Sequence, residues 1–379
     1  MPAMPRDFAL EVYLSRWEFA AKHHMTASDA QSIPLNELLG YASPADRERF
    51  NTLHLGYTET FGSPSLRETI ATTYDTVRAR DILCFAGAEE AIYVAMKVLL
   101  QPQDHCIVLT PNYQAAETVP LSICSVTGVA LDEDHNWSLD IDKVKAAIRP
   151  NTRLISINFP NNPTGAIPSQ EIFRALVDLC RMNGIWLFSD EVYRLIERSE
   201  SQRLPQAVDA YERGVSLNVM SKAYGLPGLR IGWLAAKDPA FLLACEHYKH
   251  FLSICNSGPS EVLAEIALKA RGRILERNRD LVRNNISKLD TFFAEFPALF
   301  EWCEPDGGCV AFIQYKGRDG VEAFTARLVE EAGVLLLPSS VYHSDLGPVP
   351  KDRFRIGFGR NNMDEGLTAF RNWLRRNDC

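Results

Sequence analysis

The chain has 379 residues, 40 Lys and Arg against 48 Asp and Glu (net charge −8), 46% hydrophobic and 23% charged. At that length about three quarters of the unfolded surface can be buried, enough for a large core and for two domains. The scattered cations form no basic stripe for a phosphate backbone, no run reaches the ~18 apolar residues of a membrane span, and MPAMPRDFALEVYLSRWEF carries charges where a secretory signal keeps an unbroken apolar run.

The first 45 or so residues are polar and amphipathic, without a strong strand. ILCFA (82–86) reads as a strand. The helix that follows, 89–100, has apolar residues at 91, 92, 94, 95, 98 and 99, fitting the 3.6 period. CIVLT (106–110), RLISINF (153–159), IWLFS (185–189), VSLNVM (215–220) and IGWLAA (231–236) repeat the strand pattern. Ser169 is a cap for a helix over 169–182. One or two helices follow Pro259, then strands around CVAFIQY and VLLLP, and a terminal helix over 364–376. This alternation predicts an α/β fold, with a central, mostly parallel sheet between helices and a smaller α+β domain built from both termini. The expected division is 1–45, 46–289 and 290–379.

Nine cysteines run from Cys84 to Cys379 without a C-x-x-C pair, mostly in apolar stretches. They read as buried thiols of a reducing compartment, and the chain is expected to be cytoplasmic. The eight histidines cluster only at His23-His24, so no metal site is expected.

Polar residues that look odd for a core fall just after strands, at the edge where open α/β sheets bind ligands. Gly87-Ala88-Glu89-Glu90 is either a plain turn or a helix start that receives an anion. Asn161-Asn162-Pro163-Thr164-Gly165 has turn chemistry throughout, and a structural turn suffices for it. Ser189-Asp190-Glu191-Val192-Tyr193 puts a carboxylate at the mouth of the sheet, where it must find a cation. Ser221-Lys222, before the glycine-rich 225–232, is a candidate amine nucleophile. Lysine, aspartate, arginine and an anion-receiving helix start together describe a site for a phosphorylated pyridine aldehyde.

On NNPTG, SDEVY and SKAYGLPGLRIGW, in that order, the chain resembles the fold type I pyridoxal-phosphate enzymes, in particular the class I/II aminotransferases, from about Leu55 to Arg360. The resemblance implies pyridoxal 5'-phosphate held by Lys222 as a Schiff base, with Asp190 on the ring nitrogen. It makes Tyr193 and Asn162 donors to the ring's 3' oxygen. Gly87, Ala88, Glu89, Ser221 and Arg230 become phosphate ligands, and Tyr113 the ring-stacking aromatic, a core tyrosine being the plainer reading. Tyr57 would reach the cofactor phosphate of the other subunit of a homodimer. Arg355 would fork onto the substrate α-carboxylate beside Asn162, a surface ion pair being its alternative. Two departures are Val219, where members often carry a hydroxyl, and Gly357 and Gly359, where many carry a polar residue, a change expected to alter the room beside that carboxylate.

The implied chemistry is removal of the α-proton from an external aldimine of an L-amino acid, with the resulting carbanion stabilised as a quinonoid. Transamination leads. Elimination, replacement or cyclisation in specialised metabolism, for example on a hydroxylated arginine as in capreomycidine- and enduracididine-forming enzymes, is the alternative. In the N-terminal segment, Ser28 or Asp29 caps a helix and Glu11 and Glu18 are solvated. The competing reading makes Ser28 a substrate contact and the acids receivers of a cationic side chain. A ligand-sensing regulator would need a DNA-binding module ahead of the matched region, and a nicotinamide dehydrogenase a G-x-G-x-x-G after a strand. The sequence offers neither.

Overall fold

Strands in which nearly every residue is apolar belong where helices cover both faces of a sheet. The computed structural model describes residues 6–377 and contains a seven-stranded sheet of this kind. Its strands are β1 (Ile82–Phe85), β2 (His105–Thr110), β3 (Ser125–Ala130), β4 (Thr152–Asn158), β5 (Trp186–Asp190), β6 (Gly214–Val219) and β7 (Gly232–Ala236). In space they run β1-β7-β6-β5-β4-β2-β3, parallel from β3 through β6, with β7 antiparallel to β6 and β1. Successive side chains feed opposite faces. Cys106, Val108, Leu154, Trp186 and Phe188 enter one core, while Ile107, Leu109, Ile155, Ile157 and Leu187 enter the other.

The helix Ala88–Leu99 buries Ala91, Ile92, Val94, Ala95, Met96 and Leu99, the stripe that its period announces. Ser169 caps Gln170–Asn183, accepting from the Ile172 N–H at 3.2 Å. The segment after Pro259 resolves into two helices, Gly258–Lys269 and Arg271–Ala294. A four-stranded antiparallel sheet has the order Leu337–Pro338, Arg353–Gly357, Val310–Tyr315, Phe300–Glu301.

Several expectations need correcting. β3 has only Val129 buried, so this edge strand lacks the apolar run that marks the others. VLLLP is two short strands, the first of which, Val334–Leu335, pairs in parallel with a strand at His23–His24 that the polar N-terminal sequence hides. Of the eight described cysteines five are buried, Cys124 and Cys255 are half-buried and Cys303 is exposed; Cys379 and residues 1–5 lie outside the described residues. Among the described residues no helix is long and apolar enough to cross a membrane.

Candidate active site

The C-terminal ends of β4, β5 and β6, the end of β1 and the start of β7 meet at one edge of the large sheet. There they border a cavity of about 630 Å³ lined by Ala88, Glu89, Tyr113, Asn158, Asn162, Asp190, Tyr193, Ser221, Lys222, Arg230 and Arg355. Strand register does the first positioning: Asn158 is the partner of Asp190, and Val219 that of Gly232. The Asn158 side chain then ties the edge together. Its Nδ2 donates to the Asp190 carbonyl at 3.0 Å, and its Oδ1 accepts from the Asn162 N–H at 2.8 Å. In the NNPTG loop Asn161 makes the turn, accepting from the Thr164 N–H and hydroxyl at 3.2 and 2.8 Å, and Asn162 is left for the cavity.

Asp190 sits at the cavity floor with no cation within 4 Å among the described residues, and burial pushes its carboxyl up to about 7. A protonated ring nitrogen is the counter-charge that such a carboxyl lacks. The Tyr193 hydroxyl is buried, with the Ser28 hydroxyl as its polar neighbour, and burial raises its pKa. An acceptor oxygen on a ligand would satisfy it. The Lys222 amine opens to the cavity and donates to Ser28 Oγ at 2.7 Å; burial lowers its pKa, against the pull of Asp29. Gly87, at φ 101°, lets the Arg230 guanidinium lie against the start of the helix Ala88–Leu99, where a Cβ would collide with it. Exposed Arg230, the Ser221 hydroxyl and the free N–H groups of that first turn form an anion cradle. Val219 brings no hydroxyl to it. These residues fit a phosphorylated pyridine ring.

Arg355 is buried to 2% exposure and has no carboxylate within 4 Å among the described residues. Its Nη1 donates to Asn162 Oδ1 at 3.0 Å and its Nη2 to the Thr26 carbonyl at 2.8 Å, while its Nε is unpartnered. The surface ion pair considered from the sequence is therefore absent. A buried guanidinium without a counter-ion invites a ligand carboxylate.

The helix-cap reading of Ser28 and Asp29 also fails. Asp29 pairs through both oxygens with Arg360 at 2.9 Å, and Ser28 holds Lys222. Gly357 and Gly359 are explained by the same segment, because a Cβ on either would collide with the carbonyl of Ala27 or Asp29. They admit the chain that carries Ser28 rather than making room beside the carboxylate. Glu11 and Glu18, on the helix α1 (Ala9–Trp17) and just past its end, line the cavity with His24 and Thr26. Tyr113 lies between Glu11, 3.5 Å from its hydroxyl, and Glu89, whose carboxyl is raised by burial. The sequence did not single out His24, Thr26 or Arg360; FRIGFGR ends on Arg360, but its partner is 331 residues away. Tyr57 lies outside this cavity and is 93% exposed. Among the described residues no group of His, Cys, Asp and Glu could hold a metal.

Comparison with known proteins gives concordant matches. Residues 42–370 match the family model for class I and II aminotransferases. The chain is 29% identical to the arginine–pyruvate transaminase AruH of Pseudomonas aeruginosa, over 79% of this chain and 77% of that protein. It is 27% identical to the capreomycidine synthase of Streptomyces vinaceus, over 97% and 93%. Among solved structures it is similar to a pyridoxal-phosphate-dependent aminotransferase from Streptococcus suis, with a TM-score of 0.91 and 30% identity over 99% of both chains.

Proposed function

Since the chain belongs to the class I and II aminotransferases, a pyridoxal-phosphate-dependent family acting on amino acids, we propose that it transfers the α-amino group of an L-amino acid to a keto acid. The carrying observation is that the Lys222 amine and the Arg355 guanidinium, which has no carboxylate partner among the described residues, line one cavity. An α-carboxylate on Arg355 presents its α-carbon to that amine. The cofactor, when bound, supplies the electron sink for the charge left at the α-carbon.

In this reading Asp190 keeps a proton on the ring nitrogen, and Tyr193 with the Asn162 amide donates to the 3' oxygen. Arg230, Ser221 and the N–H groups of Ala88 and Glu89 hold the phosphate, and Tyr113 covers the ring. Lys222, made less basic by burial, reaches its neutral form more easily than a solvated lysine and takes up the α-proton. Returning that proton to a different carbon, with water then releasing the keto acid, completes the first half of amino transfer, and the same steps in reverse pass the amino group to the acceptor keto acid. We also propose that the enzyme works as a homodimer, supported by the outward Tyr57, and in the cytoplasm, supported by the free thiols.

The test is to incubate the loaded enzyme with single amino acids and measure keto acid and pyridoxamine phosphate. Equal amounts of both are expected. Turnover with no pyridoxamine phosphate would reject amino transfer and favour the second reading, elimination or cyclisation after the same proton removal. That reading is supported by the near full-length similarity to capreomycidine synthase. The similarity to an arginine transaminase, together with Glu11 and Glu18 on the cavity wall, supports a basic side chain on the substrate in either case.

A further inference from the structure

We propose that Ser28 is a positioning residue for the Lys222 amine, holding it by one hydrogen bond in both of its charge states. This rests on the reading of Lys222 as the base. The contact is a 2.7 Å hydrogen bond between residues 194 positions apart. Its geometry comes from the backbone of the segment that carries Ser28. The Gly357 N–H donates to the Met25 carbonyl at 2.8 Å, the Gln31 N–H to the Gly359 carbonyl at 2.7 Å, and the Ala30 N–H to the Lys222 carbonyl at 3.2 Å. Arg355 and Arg360 clamp Thr26 and Asp29 from the side. The hydroxyl is thus anchored on both sides along the chain, and to the same residue whose side chain it meets.

The groups that act on the Lys222 charge are Asp29, Asp190, Glu11, Glu89, Arg355 and Cys309, none of which makes a hydrogen bond to Nζ among the described residues, while the Tyr193 hydroxyl faces Ser28 from the other element. A hydroxyl suits a base that must change charge during turnover. It accepts from the ammonium, and after rotation it donates to the lone pair of the neutral amine. No proton is gained or lost at Ser28. A carboxylate could only accept, and would favour the ammonium. An alanine would leave the amine free to swing, and small misplacements of a base are costly in rate.

The test uses Ser28→Ala, Ser28→Thr and Ser28→Asp. In the cofactor-free protein, Lys222 is labelled with acetic anhydride across pH and its peptide is read by mass spectrometry. Ser28→Asp should move the labelling midpoint upward by about one pH unit, a tenfold change in proton affinity, with Ser28→Thr matching the wild type. In the loaded enzyme, exchange of the substrate α-proton with deuterated solvent should slow about 10- to 100-fold in Ser28→Ala, with KM within about twofold and most of the rate restored in Ser28→Thr. An unmoved midpoint in Ser28→Asp, or unchanged exchange in Ser28→Ala, overturns the proposal. So does a raised KM at unchanged kcat, which would make Ser28 a substrate contact. If the wild type exchanges no α-proton of any amino acid, the proposed function falls, and the labelling midpoint alone decides whether Ser28 holds the amine.

Discussion

Asp190 combines a cost to the fold with the role proposed for it in the site. Its carboxyl has an ordinary value of 3.8 and is pushed up to about 7 by burial. Between these values the folded chain keeps a proton that the unfolded chain has released. The group therefore favours the fold at low pH, and that contribution is lost as pH rises through about 7. The full span is on the order of 4 kcal/mol. Glu191, also raised to about 7 by burial, adds a slope of the same sign, so only a comparison isolates Asp190. In the cofactor-free protein Asp190→Asn should lose less melting temperature between pH 5 and pH 8 than the wild type does, while the loaded variant turns over at least ~100-fold more slowly. Equal pH slopes would mean that Asp190 already has a cation. Arg355 makes the opposite case, a buried cation without an anion. Arg355→Lys keeps the charge but loses the fork, so KM for amino acids should rise roughly 10- to 100-fold with a smaller change in kcat. An unaltered KM would remove the α-carboxylate from this residue.

At the scale of elements, what could be read in advance follows burial. β1, β2, β5, β6 and β7 are buried along their whole length, and their apolar runs stand out; β3, at the sheet edge, does not. Much of the cavity lining was legible because Ala88, Asn162, Tyr193 and Lys222 each come three or four residues after the end of a strand. The N-terminal segment was not, because its partners are distant: Asp29 meets Arg360, Ser28 meets Lys222, and His23–His24 pairs with Val334–Leu335. Nothing local distinguishes those polar residues from helix caps. The helix α1 is held in the same long-range way. Gln114 accepts from the Ala9 N–H at 2.9 Å and donates to the Asp7 carbonyl at 2.8 Å, and the Phe8 and Tyr113 rings lie 5.1 Å apart. This fastening keeps Glu11 over the cavity although its carboxylate is exposed, and so screened by solvent. For an exposed charge the expected effect is modest. Glu11→Gln should lower kcat/KM for lysine or arginine about 3- to 10-fold and leave alanine unaffected. A parallel loss on alanine would show that the helix had moved rather than that a charge had been removed.

At the scale of the whole molecule, Leu55, Tyr57, Phe251 and Ile254 are large apolar side chains left half or more exposed. The two segments that carry them are braced together from beneath. The Thr58 hydroxyl donates to the Asn256 carbonyl at 2.8 Å, and fully buried Lys249 donates to the carbonyls of Thr60 and Cys84 and to Asn256 Oδ1 at 2.6, 2.7 and 2.8 Å. Cys84 belongs to β1, whose end leads into Gly87, so the exposed apolar strip and the anion cradle share one buried support. A Tyr57 that serves a partner's site can be tested by complementation. Lys222→Ala and Tyr57→Ala chains are each expected to be nearly inactive as homodimers. Unfolded and refolded together in equal amounts, they form heterodimers in half of the molecules. In each heterodimer one site combines the intact Lys222 of one chain with the intact Tyr57 of the other, and the second site carries both defects. Activity should therefore return to about a quarter of the wild-type value. If Tyr57 served its own chain, no site in the mixture would be intact, and activity would stay at the mean of the two variants.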